Sequence, residues 1–127
     1  MQNPFDFNSL PNTPVYSPLV MLIEGPEDGE LVKLILEQTG IAVLHRISEE
    51  ELAEAVASAT PELFLVGWDD RFDGLGMVSR LKQGHPALRS IPIVLMAGCR
   101  VDGQQRRRLS DLGVKWILEK PIVATSS

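Results

Sequence analysis

Residues 62–74 read ELFLVGWDDRFDG. The apolar run ends at Gly67-Trp68, and two acids, Asp69 and Asp70, follow at once. A short unbroken apolar run is the pattern of a strand buried on both faces, which is the condition of strands in a parallel sheet. In such sheets the functional crevice lies beyond the carboxyl ends of the strands. The fold and the function therefore meet at this loop. Either its carboxylates do chemistry, or it has the outline of a reactive site without the reactive group.

Four similar runs flank it: LVMLIE (19–24), IAVLHRI (41–47), IPIVLMAG (91–98) and VKWILEK (114–120). Helical patterns separate them. After Gly25-Pro26, the segment EDGELVKLILEQTG places Leu31, Leu34 and Ile35 at i, i+3 and i+4, a helical stripe, and Gly40 stops it. Ser48 caps a second helix, with Glu51 three residues on completing a capping box and Leu52, Ala55, Val56 and Ala59 turned inward. Leu75–Lys82 is a third helix with Leu75, Val78 and Leu81 inside, and Asp102 caps a fourth, GQQRRRLSDLG. Five apolar strands alternating with four helices make an α/β domain, a parallel sheet with helices on both faces. Its strand ends are Glu24-Gly25, Gly67-Trp68, Ala97-Gly98 and Lys120-Pro121.

Composition narrows the function. A chain of 127 residues, 44% hydrophobic and 23% charged, is one ordinary globular domain. Its formal charge of −5 gives no reason to expect nucleic acid or an anionic membrane, and Arg106-Arg107-Arg108 is a solvated helix face. No apolar run approaches the roughly 20 residues needed to cross a bilayer, and no signal-peptide pattern opens the chain. The single cysteine, Cys99, forms no internal disulfide, His45 and His85 have no metal or triad spacing, and a cytoplasmic location is expected. The loop Gly25–Gly29 lacks the Gly-Lys-Ser/Thr ending of a phosphate cradle, and its acids repel phosphate.

The order of elements and several motifs resemble the receiver domain of bacterial two-component response regulators. The resemblance covers about residues 19–122 and rests on LGVKWILEKPI (112–122), Pro61-Glu62-Leu63, Asp73-Gly74 and Ile91-Pro92. It implies a flavodoxin-like, CheY-like three-layer sandwich with strand order 2-1-3-4-5. It also implies the chemistry of phosphoryl transfer from a histidine kinase to an aspartate ending the third strand. In that chemistry acids of the first strand help hold magnesium, and a hydroxyl and a lysine bind the phosphoryl oxygens. Set on this sequence, the aspartate position falls on Gly67, the acid pair on Glu24-Gly25, the hydroxyl on Ala97, and only Lys120 matches. The loop from Gly67 to Asp73 is one residue short, which leaves Asp69 or Asp70 as an alternative acceptor. Otherwise the two are solvated loop acids. Lys120 is expected to pair with Glu24 or Asp69 across the vacated pocket, and Trp68 to fill the space left by Gly67.

The resemblance also implies a fifth helix after Lys-Pro, for which IVATSS is too short. Residues 1–18, rich in proline yet carrying Phe5, Phe7, Leu10, Val15 and Tyr16, read as an irregular arm expected to cover the exposed face in its place, in its own molecule or in a dimer mate, the alternative being a domain cut from a longer protein. The domain then spans 19–122, with a tail at 123–127. The expected function is a pseudo-receiver without enzymatic activity, cofactor or metal, working by contact with a signalling partner, a histidine kinase or regulator, or with a second copy. Its expected contact face is the fourth helix and fifth strand, including Gln104, Arg107, Arg108, Lys115 and Trp116. The alternatives are an unconventional phosphoacceptor and a flavodoxin-like small-molecule binder.

Overall fold

The computed structural model describes residues 18–98 and 100–120. The arm up to residue 17, Cys99 and residues from 121 onward lie outside the described residues, and with them the expectations placed there. The elements run β1 (Leu19–Ile23), α1 (Pro26–Glu37), β2 (Ala42–Arg46), α2 (Glu49–Ser58), β3 (Leu63–Trp68), α3 (Gly74–Gly84), a 3-10 turn (Pro86–Leu88), β4 (Ile93–Ala97), α4 (Gly103–Asp111) and β5 (Val114–Glu119). All strand pairs are parallel, in the order β2-β1-β3-β4-β5. This is the flavodoxin-like sandwich expected from the resemblance, with four α-helices among the described residues.

Period-two alternation in the central strands splits the core into two layers. Met21, Ile23, Phe64, Val66, Ile93 and Leu95 point to one face, where α2, α3 and α4 bury them with Leu52, Val78, Leu81 and Leu109. Val20, Leu22, Val43, Leu65 and Met96 point to the other, against Val32 of α1. α3 packs as its pattern predicts, with Leu75, Val78 and Leu81 all buried. α1 does not. Leu31 and Leu34 are 50% and 58% exposed, and the helix sets Gly29 and Val32 on the sheet instead. The helix is apolar on more than one side, so periodicity left its rotation about the axis undetermined.

Local signals explain most boundaries. Asp102 accepts the Gln105 amide hydrogen bond while the Gln105 side chain accepts from the Asp102 amide, a closed capping box. At α2 the box is only half made. Ser48 Oγ accepts from the Glu51 amide, but the Glu51 carboxylate reaches past it to the Ile47 amide. Gly40 and Gly113, at φ 86 and 92, reverse the chain after α1 and α4, where a side chain would be strained.

One irregularity redirects β5. Ile93 pairs with Val114 but Val94 pairs with Trp116, so Lys115 is an extra residue. Trp116 and Leu118 consequently share the face of Val94 and Met96, on α1's side, while Val114 and Ile117 join the core under α4. The expected contact face is thereby divided. Gln104, Arg107 and Arg108 are exposed on α4, and Trp116 belongs to the opposite side of the sheet. No helix among the described residues is long and apolar enough to cross a membrane.

Candidate functional site

The carboxyl ends of four strands converge on one lysine. β5 delivers Lys120, whose amide donates to the Ala97 carbonyl at 2.9 Å at the tip of β4. Its Nζ lies 2.8 Å from Glu24 Oε2, 3.0 Å from Asp69 Oδ2 and 3.5 Å from Asp28 Oδ2. Three carboxylates thus face one ammonium group. The sequence anticipated Glu24 or Asp69; the structure brings both, and adds Asp28. That residue sits in the first turn of α1, and its position directly after the Glu24 strand end was the available signal.

Glu24 is 1% exposed. Its Oε1 accepts the Gly25 amide hydrogen bond at 2.8 Å. Its Oε2 accepts no well-directed hydrogen bond and is held by the charge of Lys120, off the hydrogen-bond axis at 2.8 Å. A Cβ placed on Gly67 would lie 2.2 Å from Cδ, Oε1 and Oε2 of Glu24. The carboxylate from the end of β1 therefore lies over the spot where a side chain at position 67 would emerge. It is Glu24, not Trp68, that takes up that space. Trp68 is half-buried and packs instead against the core under α2 and α3.

Asp69 is shaped by its turn. Its Oδ1 accepts from the amides of Arg71 at 2.8 Å and Phe72 at 3.0 Å, and its own amide donates to the Phe72 carbonyl. Oδ2 remains for Lys120. The amide of Arg71 and then Lys120 hold its pKa below the usual 3.8. For Lys120, burial opposes the charge, but the ion pairing with Glu24 and Asp69 outweighs it, and the pKa rises above 10.5. Asp69 is accordingly no freely solvated loop acid. Asp70 is exposed and is not among the partners of Lys120.

Oxygens of Glu24, Asp28 and Asp69 lie within 4.8 Å of one another, a spacing that three ligands of a divalent cation adopt. Lys120 already puts its ammonium among them, and one oxygen of Asp69 is committed to two amides. As arranged, these residues do not fit a magnesium site. Ala97, buried at the tip of β4, offers no hydroxyl. Beside the ion group opens a cavity of about 390 Å³, lined by Glu24, Asp28, Leu31, Asp69, Met96 and Lys120 among others. Behind it, the His45 ring bonds the Glu24 carbonyl through Nε2 at 2.8 Å, and a Cβ on Gly29 would lie 2.0 Å from that nitrogen. This histidine is a packing strut between α1 and β2.

No family model and no curated protein matches the sequence. Solved structures do match the fold. The N-terminal domain of a response regulator receiver protein from Methanoculleus marisnigri JR1 is 22% identical over 82% of this chain and 84% of its own, with a TM-score of 0.68. The signal receiver domain of a signal transduction histidine kinase from Syntrophus aciditrophicus is 26% identical over 85% and 82%, with a TM-score of 0.65. A response regulator from Thermotoga maritima is 19% identical over 86% and 89%, with a TM-score of 0.68. The chain has the fold of response regulator receiver domains, with an internal lysine–carboxylate group at its strand ends.

Proposed function

We propose that this protein is a pseudo-receiver: a signalling module without enzymatic activity that works through protein–protein contact and takes no phosphoryl group. The observation that carries the reading is the Glu24 carboxylate lying over Gly67 with Lys120 beside it. Phosphoryl transfer to a carboxylate needs a nucleophile at the strand tip, a divalent cation and further donors, all held in place. Here the nucleophile position has no side chain, the hydroxyl position is Ala97, and the cation is the protein's own lysine. A fixed internal ion group in place of metal and phosphate leaves one arrangement of the pocket rather than two. Any switching then comes from a partner, a second copy or a ligand that binds two states unequally. Incubation with acetyl phosphate and magnesium, followed by intact mass, should show no added phosphoryl mass.

One observation favours a second reading. Asp69 reaches Lys120 at 3.0 Å despite its place two residues beyond the strand tip. If it were the acceptor, a phosphoryl mass would appear in that incubation and vanish in Asp69→Ala but not in Asp70→Ala. The two amides tied to Oδ1 and the ammonium on Oδ2 argue against it, because both withdraw charge from the attacking oxygens.

A further inference from the structure

β5 is an edge strand: β4 lies on its inner flank, and no strand lies beyond it among the described residues. The Lys120 amide bonds the Ala97 carbonyl, and the Ile93 amide bonds the Gly113 carbonyl, which fixes how the backbone of β5 points. Alternation turns the N–H and C=O groups of Trp116 and Leu118 toward β4, and those of Ile117 and Glu119 outward. Such an outward row is a template for another strand. The side chains along this edge have a pattern of their own. Trp116 and Leu118 are 62% and 45% exposed and share one face of the sheet. Lys115 and Glu119 bracket them, both exposed, and neither has an ion-pair partner among the described residues.

We infer that the edge of β5 pairs antiparallel with β5 of a second copy, about a two-fold axis at Ile117, joining the two sheets into one. The stretch Lys115–Glu119 reads KWILE, basic, apolar, apolar, apolar, acidic, and is complementary to itself when reversed. With Ile117 opposite its symmetry mate, their outward groups exchange both hydrogen bonds. Trp116 of each copy then faces Leu118 of the other in a non-hydrogen-bonded pair, the kind that brings side chains closer. Lys115 faces Glu119 at both ends. The exposed apolar pair is covered, and each lone charge gains an opposite. Other arrangements lose this match. A slip of two residues, the smallest that keeps outward groups opposite one another, removes both lysine–glutamate pairs. A parallel pairing in register sets lysine against lysine and glutamate against glutamate. A lysine and a bulge on an edge strand ordinarily discourage pairing. Here the bulged Lys115 meets a carboxylate that the same strand supplies. A two-fold contact using one patch twice also closes the assembly, so pairing stops at two. Five residues a side make a small interface, at the weak and transient end. The inference names a second copy among the partners that the proposed function leaves open. It holds whether or not the domain takes phosphate.

Charge reversal tests the pairing at exposed positions, where the fold is not at stake. Sedimentation equilibrium of the full chain from micromolar to millimolar concentration should show a reversible monomer–dimer equilibrium. Lys115→Glu and Glu119→Lys should each lose the dimer, because each sets like charges opposite one another. The double variant exchanges the two charges and should dimerise as the original does. Mixing the two single variants should give a heterodimer, since one then offers only acids at these positions and the other only bases. Circular dichroism confirms the fold of each variant. A chain that stays monomeric to millimolar concentration overturns the inference. So does a dimer whose dissociation constant neither reversal changes, which would place the contact on another surface, and so does a double variant that stays monomeric. Acetyl phosphate labelling is a separate measurement, so this result and that one can each fail alone.

Discussion

Two lysines are withdrawn from water in this domain, at opposite ends of the sheet. Lys120, at the carboxyl ends, meets Glu24, Asp69 and Asp28, and its pKa is raised. Lys82, on α3 near the amino ends of β4 and β5, is 7% exposed and has no carboxylate within ion-pair distance among the described residues. Its Nζ donates to the Ile91 carbonyl and lies 5.8 Å from the centre of the Phe64 ring. Burial alone acts on it, and its pKa is lowered. Similar burial thus has opposite consequences, decided by the countercharges. At one end the lysine completes an electrostatic site. At the other it is a long stem packed into the core, with a carbonyl to satisfy its head.

The contrast breaks most visibly at Lys120. Lys120→Met leaves the Glu24 carboxyl almost wholly buried and without its cation. Removing one partner of a buried pair costs about 3–5 kcal/mol, and the partial exposure of Lys120 lowers this to about 2–4. Urea unfolding at pH 7 measures it. Adding Glu24→Gln to Lys120→Met should recover much of the loss, since the orphaned charge disappears. If the single and double variants are equally unstable, the pair is only geometry.

Gly67 sharpens the same region. Gly67→Ala brings a methyl group to 2.2 Å from the Glu24 carboxyl, which must then turn away from Gly25 and Lys120. The expected loss is about 1–3 kcal/mol, the range for overpacking a closed site. The loss should shrink in a Glu24→Ala background, where room exists. A Gly67→Ala protein as stable as the original would mean that Glu24 moves freely and does not fill the pocket. Gly67→Asp alone should for the same reason show no added phosphoryl mass after incubation with acetyl phosphate and magnesium.

How much of this the sequence disclosed follows from the kind of information each feature needs. The five strands were legible because strands buried on both faces are unbroken apolar runs, and their ends placed Glu24, Gly67, Ala97 and Lys120 together. The closure of Glu24 over Gly67 was not legible, because it depends on the reach of one side chain across two neighbouring strands. The same is true of Asp28, whose approach to Lys120 depends on how α1 leaves the sheet. α1 misled because Leu31, Leu34 and Ile35 fit a helical stripe as well as Val32 does. The single extra residue at Lys115 sent Trp116 to the far side of the sheet, and one residue is invisible to alternation in a strand this short. Lys82 gave no warning, since lysine at the end of a helix reads as solvent-facing.

The smallest expected effect tests the other half of the contrast. Lys82→Met keeps a flexible stem and removes a charge that burial disfavours, at the loss of one hydrogen bond to Ile91. The opposing changes should leave stability within about 1 kcal/mol at pH 7. The pH dependence separates the two lysines more cleanly than either magnitude. A lysine whose folded pKa is lowered binds more protons unfolded than folded just below 10.5, so stability rises with pH there. The original protein should therefore gain on Lys82→Met as the pH climbs from 8 toward 10.5. Lys120 has the reverse sign: its contribution is complete below 10.5 and fades only as pH rises through the raised folded value. Its partner Asp69 closes the window on the acid side, its contribution being lost as pH falls below 3.8 through the lowered folded value. Denaturant midpoints of the original and both variants at pH 7, 9 and 10 would show two differences moving apart. Curves that run parallel would mean that the countercharges at the strand ends do not distinguish the two sites.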